Sequence, residues 1–246
     1  MSTLKERITE IAQGVAIEFD GWIYASDKFK NKSHKFAELI VDTGITFDQG
    51  FAHLQPCIAV NDKKISKFIK DVTGYSIHTS AVNFQVTDSL LGNAPKLPVP
   101  PVLACEKKAK YIDFINSSKR FSGAEILSIE NNIVDVGDIP SIFRDIMKSG
   151  ISFLNDRYCL DNETAFLESL PAKYETRNEI IYDEWERQKG VVMCAVRLLL
   201  GDFDFVERYR SDDFKTIYPK RISEIENIIK MIPDLKRRYA ETGSVI

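Results

Sequence analysis

The chain predicts an α+β protein, with an antiparallel sheet in the N-terminal half and a helical C-terminal half. Three observations carry this expectation. Strand-like segments cluster before residue 137, at 22–24, 35–47, 51–60, 82–86 and 133–136. From Asp138 onward, apolar residues recur at spacings of three and four, the period of a helix with one buried face. Strands come in a run and then helices in a run, which is the α+β order rather than alternating βαβ units. Residues 88–101 hold Gly92, Pro95, Pro98, Pro100 and Pro101 and read as a long loop or linker. They suggest a sheet region over 1–98, then a strand hairpin and helical region over 99–246, which could also form one continuous domain.

The elements follow in order. Leu4, Ile8, Ile11 and Val15 form one helical stripe, with Thr3 or Ser2 as N-cap. Trp22-Ile23-Tyr24 is a short aromatic strand after Gly21. Residues 35–47 and 51–60 read as two strands, joined by a hairpin loop at Asp48-Gln49-Gly50. Pro56 inside the second run argues for an edge position or a bulge. Ile65, Phe68, Ile69 and Val72 mark a helix ended by Gly74. Val82, Phe84 and Val86 alternate as a strand with one buried face. Asn131-Asn132 suggests a turn pairing 124–130 with 133–136. A helix opens at Asp138 with Pro140 in its first turn, and Gly150 interrupts it. Further helices are expected over 161–170 (stopped by Pro171), 178–200, and from Asp202 through 203–210. The last opens at Pro219 and is broken or kinked by Pro233.

The 246 residues are 44% hydrophobic and 28% charged, the mix of an ordinary globular protein. A chain of this size can bury roughly 70% of its unfolded surface, so it needs no disulfide or metal to hold a core. The longest apolar run, Val191 to Leu200, is interrupted by Arg197 and is too short to span a bilayer. The first residues alternate charges and lack the apolar core of a secretory signal, so a cytoplasmic location is expected. Cys57, Cys105, Cys159 and Cys194 are well separated and read as free, reduced core thiols.

No sequence motif marks a catalytic or metal centre. His34, His53 and His78 are scattered, and none sits at ligand spacing from a Cys or carboxylate. Neither a Gly-x-Ser-x-Gly elbow nor a glycine-rich phosphate loop occurs. No cofactor and no metal are expected. Glu106-Lys107-Lys108, with Asp88 upstream, has the composition of a metal-dependent nuclease site, but reads better as a solvated helix start. Asp202 and Asp204 cannot share a helix face; an N-cap and a first-turn acid at the positive end of the helix dipole account for them. Lys28, Lys30, Lys32 and Lys35, and then Lys63, Lys64, Lys67 and Lys70, could meet nucleic acid. An isoelectric point near 5.8 argues against nucleic acid as the main partner.

Charge is unevenly spread. Residues 28–120 hold 14 Lys and Arg against 8 Asp and Glu, a net of +6. Residues 121–206 hold 8 against 16, a net of −8. Within the acidic half, Tyr182, Asp183, Glu184, Trp185 and Glu186 combine aromatics with carboxylates. Aromatic side chains supply contact area and carboxylates steer the encounter with a basic protein, so these five residues are the candidate partner-binding site.

Three stretches support a family resemblance: Gly150-Ile-Ser-Phe-Leu, Asn162-Glu-Thr-Ala-Phe-Leu-Glu-Ser-Leu-Pro171, and Val192 to Leu200 followed by Gly201-Asp202-Phe203. In them the chain resembles small bacterial α+β domains of uncharacterised function found in toxin and immunity gene neighbourhoods. The resemblance implies a non-enzymatic immunity protein that neutralises a toxin by binding it, and carries over no catalytic residue. The alternative from another class is a hydrolase or metal-dependent nuclease whose site is assembled only in the fold.

Overall fold

The structure, a computed structural model, describes residues 2–48, 51–54, 56–74, 76, 78–83, 102–105, 133–170, 184–211 and 222–245. The chain forms two compact units. One comprises Met1–Ala59 and Ala81–Asp156, the other Val60–Ser80 and Arg157–Ile246. The architecture is α+β, with antiparallel strands in the N-terminal half and helices in the C-terminal half. Among the described residues no helix is long and apolar enough to cross a membrane.

The first unit opens with α1 (Leu4–Ala16). Its start is fixed by a reciprocal capping box: Thr3 Oγ1 accepts from the Glu6 amide at 3.2 Å, and Glu6 Oε2 accepts from the Thr3 amide at 2.7 Å. Leu4, Ile8, Ala12 and Val15 form its buried face. The hairpin of β1 (Trp22–Ala25) and β2 (Lys28–Asn31) follows, with Ala25 opposite Lys28. Its two loop residues, Ser26 and Asp27, have φ of 54° and 59°. Both therefore occupy the left-handed region that a two-residue turn of this hand requires, where Asn-Gly is favoured. Ser26→Asn combined with Asp27→Gly is expected to stabilise the protein by about 0.5–1 kcal/mol, read as a rise in the urea midpoint at unchanged slope. A fall in the midpoint would count against this reading of the turn.

The sequence pattern missed β2, because Phe29 is its one large apolar residue. Phe29 is nevertheless fully buried, meeting Tyr24 at 4.9 Å and Phe143 at 5.6 Å between ring centroids. The strand also changes the reading of its lysines. Lys28 pairs with Asp42 at 2.7 Å and Lys32 with Glu38 at 3.2 Å, so part of that basic run is matched by carboxylates of the next strand.

Two expected strands are each divided. Residues 35–47 hold β3 (Ala37–Asp42) and β4 (Thr46–Asp48), separated at Gly44, whose φ is 56°. Residues 51–60 hold β5 (Phe51–Leu54) and β6 (Cys57–Asp62). Pro56 is neither at an edge nor in a bulge. It lies in the gap where the chain leaves one sheet for the other, which suits a residue with no amide to give to a ladder. With β7 (Ser80–Asn83), β8 (Val102–Cys105) and β9 (Ile133–Asp135), the sheets have the orders β1-β2-β3-β6-β7 and β4-β5-β8-β9. β4 and β5 pair antiparallel, with Asp48 opposite Phe51, while residues 49 and 50 of the expected hairpin loop lie outside the described residues. β8 pairs with β9 in parallel. Residues 84–101 and 124–130, with their expected strand continuation, proline-rich loop and hairpin arm, lie outside the described residues.

A 3-10 turn at Val136–Asp138 leads into α3 (Ile139–Arg157). Gly150 does not interrupt this helix. It is buried within it, and a Cβ there would lie 2.7 Å from Val41 Cγ2 of β3. The glycine thus lets the helix backbone approach the sheet. Arg144 of α3 also forms a forked ion pair with Glu18, just beyond α1, through Nε at 2.7 Å and Nη2 at 2.8 Å.

The second unit is built from α2 (Lys63–Thr73), α4 (Glu163–Ser169), α5 (Glu184–Leu199), α6 (Phe203–Tyr209) and α7 (Ile222–Thr242). Gly74 ends α2 at φ 79°, as its sequence position predicts. Asn162 caps α4, accepting from the Ala165 amide at 2.9 Å. Residues 191–196 of α5 are all buried, and this helix packs on α2, α6 and α7. α7 continues through Pro233 instead of breaking there. Pro233 is exposed, so water can take the place of the missing amide. The start expected at Pro219 and residues 178–183 of the helix expected over 178–200 lie outside the described residues.

Candidate functional site

The five residues singled out by composition are only partly placed. Tyr182 and Asp183 lie outside the described residues. The backbones of Glu184, Trp185 and Glu186 form the first turn of α5, one turn before its buried run; their side chains lie outside the described residues. Asp88, Glu106, Lys107 and Lys108 likewise fall outside. Asp202 is an N-cap, its Oδ1 accepting from the Phe205 amide at 3.1 Å, and Asp204 is an exposed first-turn acid.

Among the described residues no group of three His, Cys, Asp or Glu side chains could hold a metal ion. Cys57, Cys159 and Cys194 are free thiols. Cys194 is buried and Cys57 half-buried, and burial raises both thiols, Cys57 to about 11. Cys159 departs from the expected core position. Its neighbour Tyr158 takes the buried place beside Phe166, and Cys159 is exposed, its thiol 3.6 Å from Asp161 Oδ2.

The polar cluster that the fold does assemble was not singled out from sequence. It centres on Asp62, at the joint between β6 and α2. Asp62 Oδ1 accepts from the amides of Lys64 at 2.9 Å and Ile65 at 2.8 Å, satisfying two donors that a helix start leaves open. Its own amide donates to the buried Thr79 Oγ1 at 2.8 Å. Next to it, His78 Nδ1 lies 2.7 Å from Asn61 Oδ1. An amide oxygen can only accept, so Nδ1 carries the proton in that contact. At the rim, Lys64 Nζ pairs with Glu163 of α4 at 2.5 Å.

Asp62 has no solvent exposure, and Oδ2 has no hydrogen-bond partner among the described residues. Burial is the main influence on this carboxyl and raises its pKa above the usual 3.8; the charge of Glu163 adds to the rise, while the two amides and Lys64 oppose it. The half-unsatisfied carboxyl is thus pushed toward its protonated form in a place no solvent reaches. A sealed acid of this kind has no route to a substrate. Its geometry joins a strand, a helix and residues 78–79.

An Asp before Lys-Lys-Ile has the form of a helix cap, so half of this site was open to sequence reading. Thr79 and Glu163 were not, because their places depend on contacts 17 and about 100 residues away along the chain. No protein-family model, no curated protein and no solved structure matches the chain.

Proposed function

We propose that this chain is a non-enzymatic protein-binding module of the bacterial cytoplasm, an immunity protein that neutralises a toxin by covering it. The partner presents a basic surface, and residues 182–186, of which the last three open α5, form the centre of contact. The observation that carries this reading is the charge layout. Across 133–170, Asp135, Asp138, Asp145, Asp156, Asp161 and Glu168 are exposed against two exposed cations, Lys148 and Arg157, while Arg144 is engaged by Glu18. Exposed carboxylates with few cations between them favour fast encounter with a basic protein. Neutralisation by binding needs a complementary face and no chemistry. The hydrolase or nuclease alternative would need carboxylates that converge on a substrate, and Asp62, which is buried, is not one of them.

The test is a stoichiometric complex isolated from the native host and measured by calorimetry. Asp183→Lys, Glu184→Lys and Glu186→Lys together should weaken it by about tenfold or more, with most of the loss at low salt. An unchanged affinity, or no stoichiometric partner, overturns the proposal.

A further inference from the structure

Three buried polar groups at the start of α2 have hydrogen-bonding capacity that their described neighbours leave unused. The first is Asp62 Oδ2, on a residue with no solvent exposure, which has no partner among the described residues. The second is Ser66 Oγ, a buried atom of a half-buried residue, also without a partner among the described residues. The third is the hydroxyl proton of Thr79, itself buried. Thr79 Oγ1 accepts from the Asp62 amide at 2.8 Å, and no acceptor for its own proton occurs among the described residues.

Helix geometry directs these groups to one place. Asp62 is the N-cap of α2, and Ser66 is the fourth residue of that helix. Residues four apart share a face, and each Cα–Cβ bond leans toward the helix N-terminus. The Ser66 side chain therefore lies over the turn that Asp62 caps. Thr79 reaches the same turn through its bond to the Asp62 amide. Yet Asp62 Oδ2 and Ser66 Oγ do not bond to each other.

Buried polar groups in folded proteins are nearly always hydrogen-bonded, and where the protein supplies no partner an ordered water does, typically through about three bonds. The donor and acceptor types here match a water. Oδ2 accepts, the Thr79 hydroxyl donates, and Ser66 does either. A divalent cation matches poorly, because it takes about six oxygen ligands, several of them carboxylates. Among the described residues no group of three His, Cys, Asp or Glu side chains could hold one.

We propose that a single water molecule is bound inside the protein at this joint, held by Asp62 Oδ2, Ser66 Oγ and Thr79 Oγ1. It ties the first turn of α2 to residue 79, directly before β7. Ser66 and Thr79, which make no hydrogen bond to each other, thereby act on stability as a pair. The site uses none of residues 182–186, so it stands or falls separately from the toxin-binding reading.

High-resolution crystallography of the full chain tests it. The expected result is a water about 2.5–3.0 Å from each of the three oxygens. No density there, a water missing any of the three contacts, or an atom with six or more oxygen ligands at about 2.4 Å, as a cation would show, overturns the proposal. A double-mutant cycle gives a second readout in solution. Ser66→Ala and Thr79→Val should each lower the urea midpoint at unchanged slope. Combined, they should lower it by less than the sum of the separate losses, because either change alone already loosens the water that both hydroxyls hold. Additive losses overturn the proposal. The crystallographic result needs no variant, and decides alone if Thr79→Val does not fold.

Discussion

Asp62→Ala is expected to destabilise the protein by about 2–4 kcal/mol, whereas Asp62→Asn should cost little, and its stability relative to wild type should rise with pH. The alanine figure has two parts. Loss of an N-cap typically costs about 0.5–2 kcal/mol. The amides of Lys64 and Ile65 then lose their acceptor in a buried setting, at about 1–3 kcal/mol for an unsatisfied polar group. Asparagine keeps the acceptor oxygen and is an equally good cap. It also replaces Oδ2, which is buried without a partner among the described residues, by a neutral group. The pH dependence separates this account from a simple cavity. The folded-state pKa of Asp62 lies above its usual 3.8, chiefly through burial. The folded protein therefore holds the proton more tightly than the unfolded chain. The stability associated with this proton is fully present below pH 3.8 and is lost as pH rises through the raised value. Asp62→Asn removes that loss, so its stability relative to wild type should improve as pH rises from about 4 toward neutrality. Urea unfolding of both proteins across this range measures the difference. A difference that stays flat with pH would show that Asp62 is ionised in the folded state as readily as in water.

The parts of this fold that were readable from sequence are those fixed by neighbours a few residues away. Thr3 with Glu6, Asn162 and Asp202 each cap a helix through side chains that reach three residues along the chain. Gly74 ends a helix because only the left-handed region closes the turn there. The misread parts are those where a distant residue decides. Gly150 suggested a break because glycine weakens an isolated helix. In the folded protein Val41 lies where a Cβ would go, and absence of a side chain is what the packing requires. Residues 51–60 carry one continuous strand pattern, yet which sheet each piece joins depends on partners at residues 102–105 and in β3. The same limit governs the site. Composition drew attention to Trp185 and its acids, whereas the Asp62 amide is held by Thr79, 17 residues away, and Lys64 beside it by Glu163 of α4.

The second large effect is expected at Gly190. It sits in α5 just before the buried run, and a Cβ built on it would collide with the phenol of Tyr209, reaching Cζ at 2.6 Å. Helix propensity alone favours alanine here by about 1 kcal/mol. Overpacking a well-filled core costs about 1–3 kcal/mol, and occasionally more. The clash should win, because Tyr209 has little room to move: it is 4% exposed and stacks on Phe205 with centroids 6.1 Å apart. The expected result for Gly190→Ala is a net loss of about 2 kcal/mol, seen as a lower urea midpoint at unchanged slope. Tyr209→Ala alone should lose about 3–5 kcal/mol by leaving a cavity. Combined, the two changes should destabilise by at least about 1 kcal/mol less than their sum, because the new methyl group enters the space the phenol has left. Strict additivity would mean that α6 shifts away from α5 at no cost, so that Gly190 does not set the distance between the two helices. A coupling of the expected sign would instead make this glycine the reason that α5, and with it the turn carrying Glu184, Trp185 and Glu186, is held close against α6.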